Sequence, residues 1–160
     1  MSAHRVLLLA RHAEAASLEG GSDHDRPLTP GGERTAAAMG RWLRDHTDRL
    51  DSVWCSSALR ARQTWELAAR ALNGAPVASY QRDLYLAGAD DLLDLVRDAP
   101  DDIQSLLVVG HNPTLQHALE ELTDEPHGFP AGAVAVVGLT GEWATLAAGR
   151  LIDFADPAAF

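Results

Sequence analysis

A chain of 160 residues, 46% hydrophobic and 22% charged, can bury one core without staples, so a single domain over residues 1–160 is expected. A formal net charge of −10 excludes the clustered positive surface that nucleic acid requires. No stretch reaches the roughly 18–20 apolar residues of a membrane span, the N-terminal MSAHRV lacks a signal core, and the one cysteine, Cys55, permits no internal disulfide, so a cytoplasmic protein is expected.

Arg5–Ala10 reads as a short buried strand, apolar and rich in branched residues. Residues 13–29 read as an irregular loop. Thr29 can cap a helix that begins at Pro30 and runs to about Asp45, with Ala36, Met39 and Leu43 on one face. Ser52–Cys55 is a second strand, followed by a helix from about Ala58 to Leu72 that Asn73-Gly74-Ala75-Pro76 stops. Val77–Tyr80 is a weaker extended piece, Ala89–Asp98 a helix, Ser105–Val109 a third clear strand, and Asn112–Leu122 a helix. Ala133–Leu139 and Trp143–Ala148 read as two strands around the hairpin signal Thr140-Gly141-Glu142. Alternating strands and helices imply a mostly parallel sheet covered on both faces, with an antiparallel part from the final hairpin.

In such sheets, ligands sit beyond the carboxyl ends of the strands. Three junctions fall there: Arg11-His12 after the first strand, Ser56-Ser57-Ala58-Leu59-Arg60 after the second, and Gly110-His111-Asn112-Pro113 after the third. Arg11, His12, Arg60 and His111 should therefore converge on one rim. Asn112 reads as a helix cap with Pro113 in the first turn, so His111 lies just ahead of a helix N-terminus that favours an anion. Ser57 reads as a second cap, which places the Arg60 cation in a first turn, against the helix dipole unless an anion lies beside it. Arginine grips phosphate oxygens in a two-pronged way, and no carboxylate cluster with metal spacing accompanies the histidines. The rim reads as a phosphoryl pocket rather than a metal site, with no cofactor. All 13 basic residues are arginine, which excludes Walker-type phosphate loops and lysine Schiff bases.

A neutral histidine ring can attack phosphorus, and nearby arginines hold it neutral by disfavouring the imidazolium. His12 is expected to take the phosphoryl group in line, with Arg11, Arg60 and a protonated His111 on the equatorial oxygens and water hydrolysing the phosphohistidine. Asp83, Glu14 and His111 are candidates for the leaving-group proton donor, with Asp83 preferred. Arg26 reads equally as a substrate contact or an ion pair with Asp23 or Asp25. Of the remaining histidines, His117 reads as structural and His4, His24, His46 and His127 as surface or loop residues; His24 alone could reach substrate from its loop. The four tryptophans read as core.

The stretches LLLARHAEA, DRPLTPGG, SSALRARQT and LLVVGHNPTL, in that order, resemble the histidine phosphatase superfamily, and within it the SixA-type phosphohistidine phosphatases. The resemblance implies a phosphoglycerate mutase-like, three-layer α/β/α sandwich with a mostly parallel sheet and an antiparallel edge. It implies His12 as the phosphorylated nucleophile and Arg11, Arg60 and His111 as its phosphate pocket, with Arg26 where SixA-like proteins carry another arginine. Arg60, not Arg62, matches the family arginine. Ala13 stands where the family usually has glycine. The glutamate general acid of mutase-like members has no clear counterpart, Asp83 being nearest by position, so hydrolysis of a phosphoramidate fits better than that of an ester. The expected activity is a metal-independent phosphatase acting on phosphohistidine in a signalling or carrier protein. The alternatives are a phosphatase of small phosphate monoesters and a non-catalytic module that binds a phosphorylated ligand. The chain is short for the superfamily, which leaves little to build a lid.

Overall fold

The computed structural model describes residues 4–160. Six strands form one sheet: β1 (His4–Arg11), β2 (Ser52–Ser56), β3 (Ser79–Gln81), β4 (Ser105–Gly110), β5 (Val134–Thr140) and β6 (Arg150–Ala155). Five helices cover it: α1 (Pro30–His46), α2 (Leu59–Ala69), α3 (Arg82–Leu86), α4 (Ala89–Arg97) and α5 (Thr114–Thr123). The strand order is β3-β2-β4-β1-β5-β6. The first four in that order run parallel, while β5 pairs antiparallel with both β1 and β6.

The unbroken apolar runs have a direct cause. β1 and β4 are central strands covered on both faces, so side chains of both parities must be apolar. Leu7, Leu9, Leu106 and Val108 pack with Leu92, Leu93, Leu115 and Leu119 of α4 and α5. Leu8, Ala10, Leu107 and Val109 face the other way, onto Met39 and Leu43 of α1 and Ala61 and Trp65 of α2. The result is the expected three-layer sandwich. α1 and α2 cross so closely that a Cβ at Gly40 would lie 2.1 Å from the Ala68 carbonyl oxygen.

Several boundaries differ from the sequence reading. Thr29 does cap α1, its Oγ1 accepting from the Gly32 amide at 2.9 Å. Ser57 does not cap α2: the cap residue is Ala58, and Ser56 Oγ accepts the Ala58 amide instead. The last helix starts at Thr114 rather than Asn112, although Asn112 Oδ1 still accepts from the Gln116 amide. Loop 13–29 contains a 3-10 turn at Asp23–Asp25 and a bridge between Ala15 and Leu28. The expected strand at Trp143–Ala148 is a 3-10 turn, Trp143–Thr145, and the edge strand comes later, at Arg150–Ala155. The fully buried Trp143 indole donates to the Ile103 carbonyl, and Trp143 and Leu146, one 3-10 repeat apart, both enter the core beside α4. No helix among the described residues is long and apolar enough to cross a membrane.

Candidate active site

Strand register builds the site. β1 and β4 pair in step, Arg11 opposite Gly110, so the next residue on each strand is a histidine. The His12 amide donates to the Gly110 carbonyl at 3.1 Å, and the His12 and His111 rings lie with centroids 5.1 Å apart. β2 runs beside β4 with Cys55 opposite Val109, which brings Ser56 to the same edge. Ser56 Oγ and His111 Nε2 share a 2.7 Å hydrogen bond. Arg60 follows in the first turn of α2, only 7% exposed. Arg11 is held from the opposite side, NH1 donating to the Phe129 carbonyl at 2.9 Å.

His12 is fixed in one tautomer. Its Nδ1 lies 2.7 Å from the Ala13 carbonyl oxygen, and a carbonyl only accepts, so Nδ1 carries the proton. Nε2 is left with the lone pair. Burial drives the His12 imidazole down to about 4; the Ala13 carbonyl opposes this, and the guanidinium groups of Arg60, Arg11 and Arg26 reinforce it. The arginines expected to keep this ring neutral are thus secondary to burial. His111 falls to about 3, again chiefly through burial, with His12 and Arg60 adding to it. The expectation of a protonated His111 is therefore corrected for the free site: both rings are neutral at pH 7. The Nδ1 of His111 and the Nε of Arg11 are buried without a hydrogen-bond partner.

The anion anticipated beside Arg60 is internal. Arg60 donates to both the carbonyl and the carboxylate of Asp23, at 2.8 and 3.0 Å. Arg26 also pairs with Asp23, at 3.0 Å, and donates from Nε to the Ala16 carbonyl. Tyr85 completes the group, its hydroxyl donating to Asp23 Oδ2 at 2.8 Å. The Tyr85 hydroxyl, Arg26 and Arg60 hold the Asp23 carboxyl well below the usual carboxylate range. Of the two readings of Arg26, the structure has the ion pair with Asp23; Tyr85, and the contacts of Asp23 with Arg60 and of Ser56 with His111, are what sequence reasoning did not single out. The "DxxR" spacing of Asp23 and Arg26 carried a signal, since residues three apart in one turn lie side by side.

Asp83 and Glu14 stand elsewhere. Tyr85 faces His111, with ring centroids 5.7 Å apart. Asp83, two residues earlier on α3, falls on the opposite side of that helix. It is exposed and lines an open cleft against α4 with Leu86, Asp91, Asp94 and Asp98. Glu14 accepts from the Thr29 hydroxyl at 2.8 Å and so braces the start of α1. No group of three or more His, Cys, Asp or Glu side chains suited to a metal occurs among the described residues.

The family model described as histidine phosphatase superfamily (branch 1) matches residues 7–83, the segment carrying Arg11, His12 and Arg60. Phosphohistidine phosphatase SixA of Escherichia coli (strain K12) is 31% identical, over 83% of this chain and 84% of that protein. The chain belongs to the histidine phosphatase superfamily. A structure from Nakamurella multipartitia described as a putative phosphohistidine phosphatase SixA superimposes with a TM-score of 0.87 at 39% identity, covering 96% of each chain. A phosphoglycerate mutase from Plasmodium falciparum shares the fold, with a TM-score of 0.66 at 16% identity over 95% of this chain and 91% of that one. As a hydrolase of this superfamily, the chain carries its histidines where the sheet's parallel strands end.

Proposed function

We propose that this histidine phosphatase removes the phosphoryl group from phosphohistidine borne on another protein, through a phosphoryl intermediate on His12. The hydrogen bond from His12 Nδ1 to the Ala13 carbonyl carries this reading, because it aims an unprotonated Nε2 from a pocket edged by Arg11, Arg60 and His111. The E. coli relative named phosphohistidine phosphatase SixA supports the substrate class.

The first displacement forms the Nε2–P bond and breaks the bond from phosphorus to the substrate nitrogen. That nitrogen leaves with the electron pair. Its ring keeps the proton on the other nitrogen and departs neutral, so no separate acid is required. This suits a site with Asp83 turned away and Asp23 held as an anion. In the second displacement, water oxygen bonds to phosphorus and the Nε2–P electrons return to His12. Both water protons stay on the product, H2PO4⁻, and Nδ1 keeps its own. Arg11, Arg60 and the His111 ring stabilise the charge that spreads over the equatorial oxygens, with the arginines in the place a divalent ion takes in other phosphoryl transfers. The arriving phosphoryl group, being anionic, raises the pKa of both rings. Cys55, buried and unpaired, suits a reducing compartment, and we place the reaction in the cytoplasm.

Phosphate release from a phosphohistidine protein, a phosphoserine peptide and a sugar phosphate, each with and without EDTA, tests this. Turnover is expected to be fastest on the phosphohistidine protein and unchanged by EDTA. Preference for either ester would replace the substrate, loss in EDTA would reject the metal-free mechanism, and binding without release would make the chain a recognition module.

A further inference from the structure

The phosphoryl pocket accounts for Arg11, His12, Arg60 and His111, but not for a second set of side chains above them. The His24 ring meets the Tyr85 ring edge-on, centroids 4.8 Å apart and planes at 87°. Tyr85 in turn meets His111 edge-on at 5.7 Å and 73°. The series His12–His111–Tyr85–His24 is thus an unbroken run of rings leading away from the nucleophile. His24 is held at its far end by Ser57, whose Oγ lies 2.8 Å from His24 Nε2. The Asp25 carboxylate lies 3.7 Å from its other nitrogen. Tyr85 is pinned by Asp23.

Depth and reaction geometry assign the run a place. His12 and Arg60 are 9% and 7% exposed, whereas the His24 side chain is 32% exposed and Tyr85 is half-buried. In-line attack puts the leaving group opposite the attacking nitrogen. Tyr85 is tied through Asp23 to Arg60 and meets His111 edge-on, so with His24 it borders the phosphoryl pocket on its more exposed side, where a group leaving phosphorus would pass.

We infer that Tyr85 and His24 form the leaving-group wall of this site and select a flat aromatic ring on phosphorus over an aliphatic or ringless group. The inference rests on the proposed phosphatase reaction and names its specificity residues. A planar leaving group such as imidazole packs edge-to-face or offset on these rings, while a small amine or alkyl group leaves their faces to water. Ser57 acts as a positioning residue that keeps His24 over the mouth.

The test compares two phosphoramidates that share a P–N bond and differ in the ring: N-phosphoimidazole and phosphoramidate itself. The readout is the ratio of their kcat/KM values. His24→Leu and Tyr85→Leu are expected to lower that ratio about five- to tenfold, mainly through KM for the ring compound, the scale of a lost aromatic pair. Tyr85→Phe keeps the ring and is expected to keep the ratio within about twofold, even though it loses the bond to Asp23. Ser57→Ala should lower the ratio part of the way. An unchanged ratio in both leucine variants overturns the inference, as does a fall in Tyr85→Phe equal to that in Tyr85→Leu. His24→Leu lies on a partly exposed loop and stands alone should Tyr85→Leu fail to fold. A wild-type protein that releases phosphate from a phosphohistidine protein but from neither small compound overturns this inference alone, since the ring is then not what the site selects; one that acts on none of the three overturns the phosphatase reading and this inference with it. One that hydrolyses both, at a ratio the leucine variants leave alone, overturns this inference only.

Discussion

At the scale of single residues, two neutral imidazoles side by side define the site. His12 is pushed down to about 4 and His111 to about 3, both by burial first. An unshifted imidazole, pKa about 6.5, would be roughly 97% protonated at pH 5. NMR titration of the imidazole C–H resonances is expected to show both rings still neutral there, and a midpoint near 6.5 for either would contradict the account. Between about pH 6.5 and 4 the unfolded chain binds protons that the folded rings refuse, so stability falls as pH falls through that window. For His12 the loss amounts to about 3 kcal/mol. Arg60 offers a second check, because it meets Asp23 with two nitrogens at once. Arg60→Lys keeps the charge but not the fork, and kcat/KM is expected to fall at least tenfold with the fold retained. The convergence of Arg11, His12, Arg60 and His111 is legible in the sequence because each follows a strand whose direction the apolar runs imply. Asp23 and Tyr85 are not legible in this way. The place of Asp23 depends on how loop 13–29 returns over the strand ends, and that of Tyr85 on the five-residue α3, neither of which any periodicity encodes.

At the scale of elements, what is legible follows from burial. β1 and β4 announce themselves because both faces are covered, and α1 because Thr29, Pro30 and its apolar face agree. β6 is hidden because an edge strand need not be apolar, and its sequence, RLIDFA, is half exposed with a register shift opposite it. α3 is hidden because five residues cannot establish a helical period. The α1–α2 crossing yields a sharp prediction. Glycine to alanine in a helix ordinarily stabilises by up to about 1 kcal/mol. At Gly40 the new methyl group would overlap the Ala68 carbonyl, so Gly40→Ala is expected to destabilise by about 1–3 kcal/mol or more in urea unfolding. An unchanged midpoint would show that the helices do not pack this tightly.

At the scale of the whole molecule, the fold gathers residues from the ends of three parallel strands and so brings Arg11 and Arg60 to one place on a chain of net charge −10. A tetrahedral oxyanion should therefore bind there and stabilise the native state. At a hundredfold excess over its Kd, tungstate is expected to add about 2.7 kcal/mol of stability to the wild type and nothing comparable to Arg60→Ala, measured by thermal unfolding. Equal stabilisation of both would place the anion elsewhere. The central claim is that phosphorus rests on one nitrogen of one ring. The most direct measurement is 31P NMR and peptide mass spectrometry of the protein caught during turnover and held at alkaline pH. The account predicts one phosphoryl group on His12 Nε2, absent from His12→Ala. A phosphoryl group on His111, on His12 Nδ1 or on an oxygen, or turnover undiminished in His12→Ala, would contradict it.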